Sequence, residues 1–133
     1  MNPEEFLTIL AQDRASAILR TSDTDAARAA MDAAVRGGFV VIEFTLSIPG
    51  AFDLIREFSS REGLVVGAGT VLSPDEANQA VEAGAAYLVS PVVDEQVIAE
   101  AATLGVASMF SSPLPSPPGR GTPKMPGNHN FRP

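Results

Sequence analysis

A repeat constrains this chain before any single residue does. Apolar, strand-like stretches begin at Ala15, Phe39, Leu64 and Tyr87, at intervals of 24, 25 and 23 residues. A segment of helical pattern follows each one. Strands that alternate with helices predict a parallel sheet with right-handed crossovers. The period suits a (β/α)8 barrel or an open doubly wound sheet. A complete barrel takes about 250 residues, or about 200 at its most compact. The 133 residues here correspond to about half of one.

The elements can be placed in order. Residues 3–13 read as an amphipathic helix with Phe6, Leu7, Ile9 and Leu10 as its stripe. Residues 15–20 read as a first strand, and Thr21-Ser22-Asp23 as a turn and N-cap before an Ala- and Arg-rich helix ended by Gly37-Gly38. A second strand covers 40–46 and closes at Pro49-Gly50. A helix over 51–61 follows, with Phe52, Leu54, Ile55 and Phe58 on one side. Residues 64–70 form a third strand. Ser73-Pro74-Asp75-Glu76 then combines a capping hydroxyl, a first-position proline and first-turn acids. Strands from Tyr87 and Val106 flank a helix over 94–104 that Gly105 stops.

One ionisable residue interrupts the apolar run Val40-Val41-Ile42-Glu43-Phe44-Thr45-Leu46. A carboxylate in a buried strand is costly unless it is paired, protonated or facing a polar cavity. Alternation puts Val41, Glu43 and Thr45 on one face and Val40, Ile42, Phe44 and Leu46 on the other. The second face is expected to pack on helices. On residue type alone, Glu43 is equally well read as a satisfied core glutamate or as part of a site.

Function in either architecture collects at the carboxyl ends of the strands. Those ends carry Arg20, Glu43 with Thr45, Gly69-Thr70, and Ser90-Pro91. Taken singly, Arg20 is a solvated loop charge, and Thr70 and Ser90 are helix-start hydroxyls. Taken together they describe a pocket for a small oxyacid, with arginine on a carboxylate and glutamate moving protons. Gly67-x-Gly69 is half of a dinucleotide fingerprint, but Leu72 occupies the third glycine position and no acid is suitably placed downstream. No metal site is expected: the single histidine is His129, and Asp75-Glu76 and Asp94-Glu95 read as helix-start acids.

Charge and composition narrow the partners. A net charge of −7 argues against nucleic acid and anionic membranes, and the chain has no cysteine. No apolar run reaches membrane-spanning length and no targeting segment opens the sequence, so a cytoplasmic location is expected, or an organellar one if a leader precedes Met1. All 16 acidic residues lie at or before Glu100, and seven of the 11 prolines lie in 110–133. Residues 1–109 therefore read as one folded unit and 110–133 as a Pro-rich disordered tail.

Several of these stretches carry a resemblance. Ile18-Leu19-Arg20, Glu43-Phe44-Thr45-Leu46 with Pro49, Gly67-Ala68-Gly69-Thr70-Val71-Leu72, Ala83-Gly84-Ala85 and Val89-Ser90-Pro91 together resemble the 2-keto-3-deoxy-6-phosphogluconate / 4-hydroxy-2-oxoglutarate aldolases over about residues 5–109. The resemblance implies a (β/α)8 fold, a homotrimer, and class I cleavage of 2-oxo-3-deoxy acids to pyruvate and an aldehyde. The chemistry would run through a lysine Schiff base, with no metal or other cofactor. It implies Glu43 as general acid/base, Arg20 and Thr70 as carboxylate holders, and Thr45, Ser90 and Pro91 as further parts of the substrate pocket. Some members carry an arginine where this chain has Ser47.

Past Met109 the resemblance ends. The family's sixth strand, with its lysine, has no counterpart, and Lys124, the only lysine of the sequence, sits among prolines and glycines. The expectation is a barrel cut after its fifth strand by an altered reading or splice at residue 110, with little activity alone. Two other classes are open. One is a non-catalytic form that associates with full-length aldolase through its sheet edges. The other is a peptide ligand, since Pro115-Ser116-Pro117-Pro118-Gly119-Arg120 matches the proline spacing that SH3 modules bind.

Overall fold

The computed structural model describes residues 1–110. They form α1 (Pro3–Asp13), β1 (Ser16–Leu19), α2 (Thr24–Arg36), β2 (Val41–Thr45), α3 (Ala51–Ser59), β3 (Val65–Gly69), α4 (Pro74–Glu82), β4 (Tyr87–Ser90), α5 (Glu95–Leu104) and β5 (Ala107–Phe110). The element ends differ from the expected ones by at most two residues, the ordinary spread of element boundaries. The expected tail, its Pro115–Arg120 motif and Lys124 lie outside the described residues; Phe110 closes β5.

Local chemistry sets the helix starts. Asn2 and Glu5 exchange hydrogen bonds in a capping box at α1, with Pro3 in the first turn. Asp23, Ser73 and Asp94 accept backbone N–H bonds at the heads of α2, α4 and α5. The exception is α3, which starts from Gly50 with no side-chain cap. Pro49, just before it, gives its carbonyl to the Thr24 hydroxyl.

The five strands are all parallel and lie in the order β1-β2-β3-β4-β5. A doubly wound sheet reverses its strand order at a switch point. This sheet does not, so the chain takes the barrel alternative and forms half of a (β/α)8 barrel. The faces agree. Ile42, Phe44, Val66, Ala68 and Leu88 point outward into a core with Met31 of α2, Leu54, Ile55 and Phe58 of α3, Ala77 of α4 and Val97 of α5. Each of the larger side chains among them (Val, Leu, Ile, Phe, Met) stabilises the fold by about 1.5–3 kcal/mol when fully buried.

The opposite, concave face carries Val41, Val65, Tyr87 and Ala107, and α1 lies against it through Phe6. Phe6 stacks on the Tyr87 ring, with centroids 4.5 Å apart and planes at 25°. Leu7, expected on the same stripe, is exposed and lines the groove beside α5 instead. One residue along a helix turns the side chain by about 100°, so Phe6 and Leu7 cannot both face the sheet.

Candidate active site

The site is built on one transverse row of the concave face. In the ladders Ile18 pairs with Glu43, Glu43 with Gly67, Gly67 with Tyr87, and Tyr87 with Ala107. The next row toward the rim places Thr45 beside Gly69 and Gly69 beside Val89. The two glycines of β3 thus leave two empty seats between β2 and β4, and each is taken by a neighbour. A Cβ at Gly67 would fall inside the Tyr87 ring. The ring leans across β3, and its hydroxyl donates to the Ile42 carbonyl on β2 at 3.0 Å. A Cβ at Gly69 would run into Glu43 Oε1, with Val89 Cβ 3.1 Å away. The Glu43 carboxyl therefore leans rimward over Gly69.

Burial controls the electrostatics. Glu43 is only 5% exposed. Its carboxyl is pushed above the usual carboxylate range by desolvation, and the positive charge of Arg20 pulls it part of the way back. Tyr87 is pushed upward by burial and by the charge of Glu43, so it stays a neutral phenol and a hydrogen-bond donor. The Thr45 hydroxyl is engaged with that of Ser47 at 3.0 Å.

These groups open into a cavity of about 230 Å³ lined by Ile18, Arg20, Glu43, Thr45, Thr70, Val89, Ser90 and Pro91. All six residues expected at the site, Arg20, Glu43, Thr45, Thr70, Ser90 and Pro91, meet there. An adjoining hollow of about 340 Å³ shares Arg20 and Thr70 and adds Leu46, Ser47, Leu72 and Glu76. The groove of about 300 Å³ between α1 and α5 has no ionisable lining residue. Sequence reasoning named Gly67 and Gly69 but missed the seats they leave, and it missed Tyr87 as the residue that fills one of them. Two glycines one residue apart inside an otherwise buried strand were the available signal, since glycine there marks a close approach.

The arrangement offers a guanidinium and hydroxyls for a carboxylate, and a carboxyl raised above its usual range for proton transfer. Among the described residues no group of three His, Asp or Glu side chains is placed to hold a metal ion, and no helix is long and apolar enough to cross a membrane. No lysine precedes Lys124.

Comparison with known proteins places the chain. The family model described as KDPG and KHG aldolase matches residues 7–111. The 2-dehydro-3-deoxy-phosphogluconate aldolase of Zymomonas mobilis is 42% identical over 74 residues, covering 56% of this chain and 36% of that protein. The KHG/KDPG aldolase of Escherichia coli K12 is 39% identical over 79 residues, 59% of this chain and 37% of that protein. Among solved structures, a 2-keto-3-deoxy-6-phospho-gluconate aldolase of Zymomonas mobilis superposes with a TM-score of 0.65 at 35% identity, covering 71% of this chain and 46% of that one. The KDPG aldolase of Legionella pneumophila, with pyruvate captured as a covalent carbinolamine, gives a TM-score of 0.58 at 25% identity over 70% of this chain and 46% of that one. The chain spans less than half the length of these relatives.

Proposed function

The chain belongs to the KDPG and KHG aldolase family, and from that premise we propose that its rim pocket is the pyruvate-handling part of a carbon–carbon lyase site, one that cleaves 2-oxo-3-deoxy acids to pyruvate and an aldehyde. The observation that carries the reading is the convergence of Glu43, Arg20, Thr70 and Ser90 on one small cavity at the strand ends. Pyruvate bound covalently in the Legionella relative supports the choice of ligand.

The Arg20 guanidinium takes the substrate carboxylate in a fork, and the Thr70 hydroxyl adds a donor. In the cleavage direction the C4 hydroxyl of a 4-hydroxy-2-oxo acid loses its proton, the C3–C4 bond breaks, and the electron pair moves toward C2. The Glu43 carboxylate receives that proton, and the protonated carboxyl returns one to C3 of the pyruvate half. A carboxyl raised toward the working pH performs both transfers. In a class I aldolase the electron sink at C2 is an iminium on a lysine. None stands among residues 1–110, so this part of the site supplies binding and proton transfer.

The test couples pyruvate release from 2-keto-3-deoxy-6-phosphogluconate to lactate dehydrogenase, alongside direct pyruvate binding. Expected for this chain are pyruvate binding that Arg20→Ala abolishes and turnover far below the enzyme median of about 10 per second. Turnover at that ordinary level, lost together with borohydride trapping in Lys124→Ala, would place the amine beyond Phe110. Absence of pyruvate binding would overturn the reading.

A further inference from the structure

The direction of the Glu43 carboxyl calls for a cause. Among the described residues no hydrogen bond fixes it, and the charge that bears on it is that of Arg20. Its direction is therefore set by the room around it. Val41 lies behind Glu43 on its own strand, and Ile18 stands opposite it on β1. The β3 side offers two seats. One is over Gly67, directly opposite Glu43, and the other is over Gly69, one step nearer the rim. The two seats are two residues apart, about 6.6 Å along the strand.

The seat over Gly67 is closed, because the Tyr87 ring already fills the space a Cβ would take there. The ring is buried and held from two sides. Phe6 of α1 stacks on it at 4.5 Å, and its hydroxyl donates to the Ile42 carbonyl at 3.0 Å. The seat over Gly69 holds Glu43 Oε1, and it is the seat beside the cavity. Arg20 follows Leu19, the ladder partner of Phe44, and so stands level with Thr45 at the rim. A carboxyl over Gly69 shares the cavity with Arg20. A carboxyl over Gly67 would sit one row further in, away from both.

We propose that Tyr87 is a positioning residue for Glu43: its ring, braced by Phe6 and tied to Ile42, closes the seat over Gly67 and leaves the carboxyl only the seat over Gly69, at the cavity. Tyr87 does not line the cavity itself, so it acts through Glu43. The use of the aimed carboxyl in proton transfer rests on the pocket reading above, whereas the aiming needs no ligand. The wall is the ring, and the hydroxyl anchors it. Phenylalanine at this position therefore keeps the aim, and an aliphatic side chain opens the inner seat. A residue that only filled the core would leave the carboxyl where it is when replaced.

The experiment uses Arg20 as a ruler. The Glu43 carboxyl carbon is followed against pH by 13C NMR, its signal assigned by its loss in Glu43→Gln. Wild type, Tyr87→Phe and Tyr87→Leu are each titrated with and without Arg20→Ala. In wild type Arg20→Ala is expected to raise the Glu43 midpoint, because a positive charge that lowers it is gone. Tyr87→Phe is expected to show the same rise. In Tyr87→Leu the rise should shrink to less than about half, since the attraction weakens with distance once the carboxyl turns inward. Where Tyr87→Leu does not fold, Tyr87→Met, which keeps apolar bulk in a flexible form, is read in the same way. An undiminished rise in Tyr87→Leu or Tyr87→Met overturns the proposal, and so does an equal shrinkage in Tyr87→Phe. Failure of wild type to bind pyruvate would sink the pocket reading alone, and the positioning would still stand or fall on the titration.

Discussion

Gly67→Ala tests whether the site is held by the two vacated seats of β3. The added methyl would fall inside the Tyr87 ring, and the ring has nowhere to go. Phe6 is stacked on it, and its hydroxyl is tied to the Ile42 carbonyl at 3.0 Å. Overpacking of this kind costs about 1–3 kcal/mol. If the ring swings aside instead, the hydrogen bond and part of the stacking are lost, each about 1 kcal/mol. Reduced freedom of the unfolded chain returns about 0.4–1 kcal/mol. By either route the net expectation is a loss of about 1–2 kcal/mol, a sizeable share of the 5–15 kcal/mol that a typical domain has. Tyr87→Ala alone should cost about 3–5 kcal/mol through the cavity it leaves. In the double variant the new methyl occupies part of that cavity, so the combined cost should fall short of the sum by about 1–3 kcal/mol. Urea unfolding followed by far-ultraviolet circular dichroism measures all four corners of the cycle. Additivity within about 0.5 kcal/mol, or a Gly67→Ala cost below that, would refute the packing argument.

Glu43→Gln should stabilise the chain at neutral pH. The folded carboxyl is raised above its unfolded value, so the wild type has its full stability below about pH 4.3 and loses some as pH rises through the folded pKa. Each pH unit of that elevation corresponds to about 1.4 kcal/mol, and urea midpoints at pH 4 and pH 7.5 should show the variant's advantage at the higher pH alone. Tyr87→Phe keeps the ring and removes the bond to Ile42, for an expected loss of about 1–2 kcal/mol by the same unfolding assay; no change in midpoint would count against that bond. Gly84 has φ +110, and a Cβ there meets the Ser59 side chain, so Gly84→Ala should lower the melting temperature by more than about 5 °C, whereas Gly63→Ala, with φ +81 and open space around it, should lower it less.

The positions of the site residues were legible because two independent patterns coincide. The strand period fixed which residues end each strand, and near those ends Arg20, Glu43, Thr45, Thr70 and Ser90 are polar residues in otherwise apolar runs. Periodicity also told which face of β2 would meet the helices. It did not distinguish barrel from open sheet, because strand order is a property of the pairing and leaves no mark on the period. The support beneath Glu43 was equally hidden. Gly67 and Gly69 carry no side chain from which a contact can be inferred, and Tyr87 reads as one more aromatic in a strand. That Tyr87 crosses β3 to reach Ile42, 45 residues earlier, follows from register and lean, which local sequence does not encode. Leu7 shows the related limit at helix edges: an apolar residue there can go to either side of the boundary between core and solvent.

The sequential order of the strands has a kinetic consequence. Every ladder joins a strand to the next one along the chain, so forming it closes a loop of similar size, and the entropic penalty of each step is nearly the same and grows only slowly with loop length. Among the described residues no strand pairing has to wait for a strand from a distant part of the sequence, which keeps the ladders local and favours fast folding. During synthesis each new β-strand leaves the ribosome to find its partner already made, with the preceding helix laid over the seam. Assembly can therefore run in the direction of translation, one unit at a time, with the packing beneath Glu43 in place as soon as Tyr87 docks across β3.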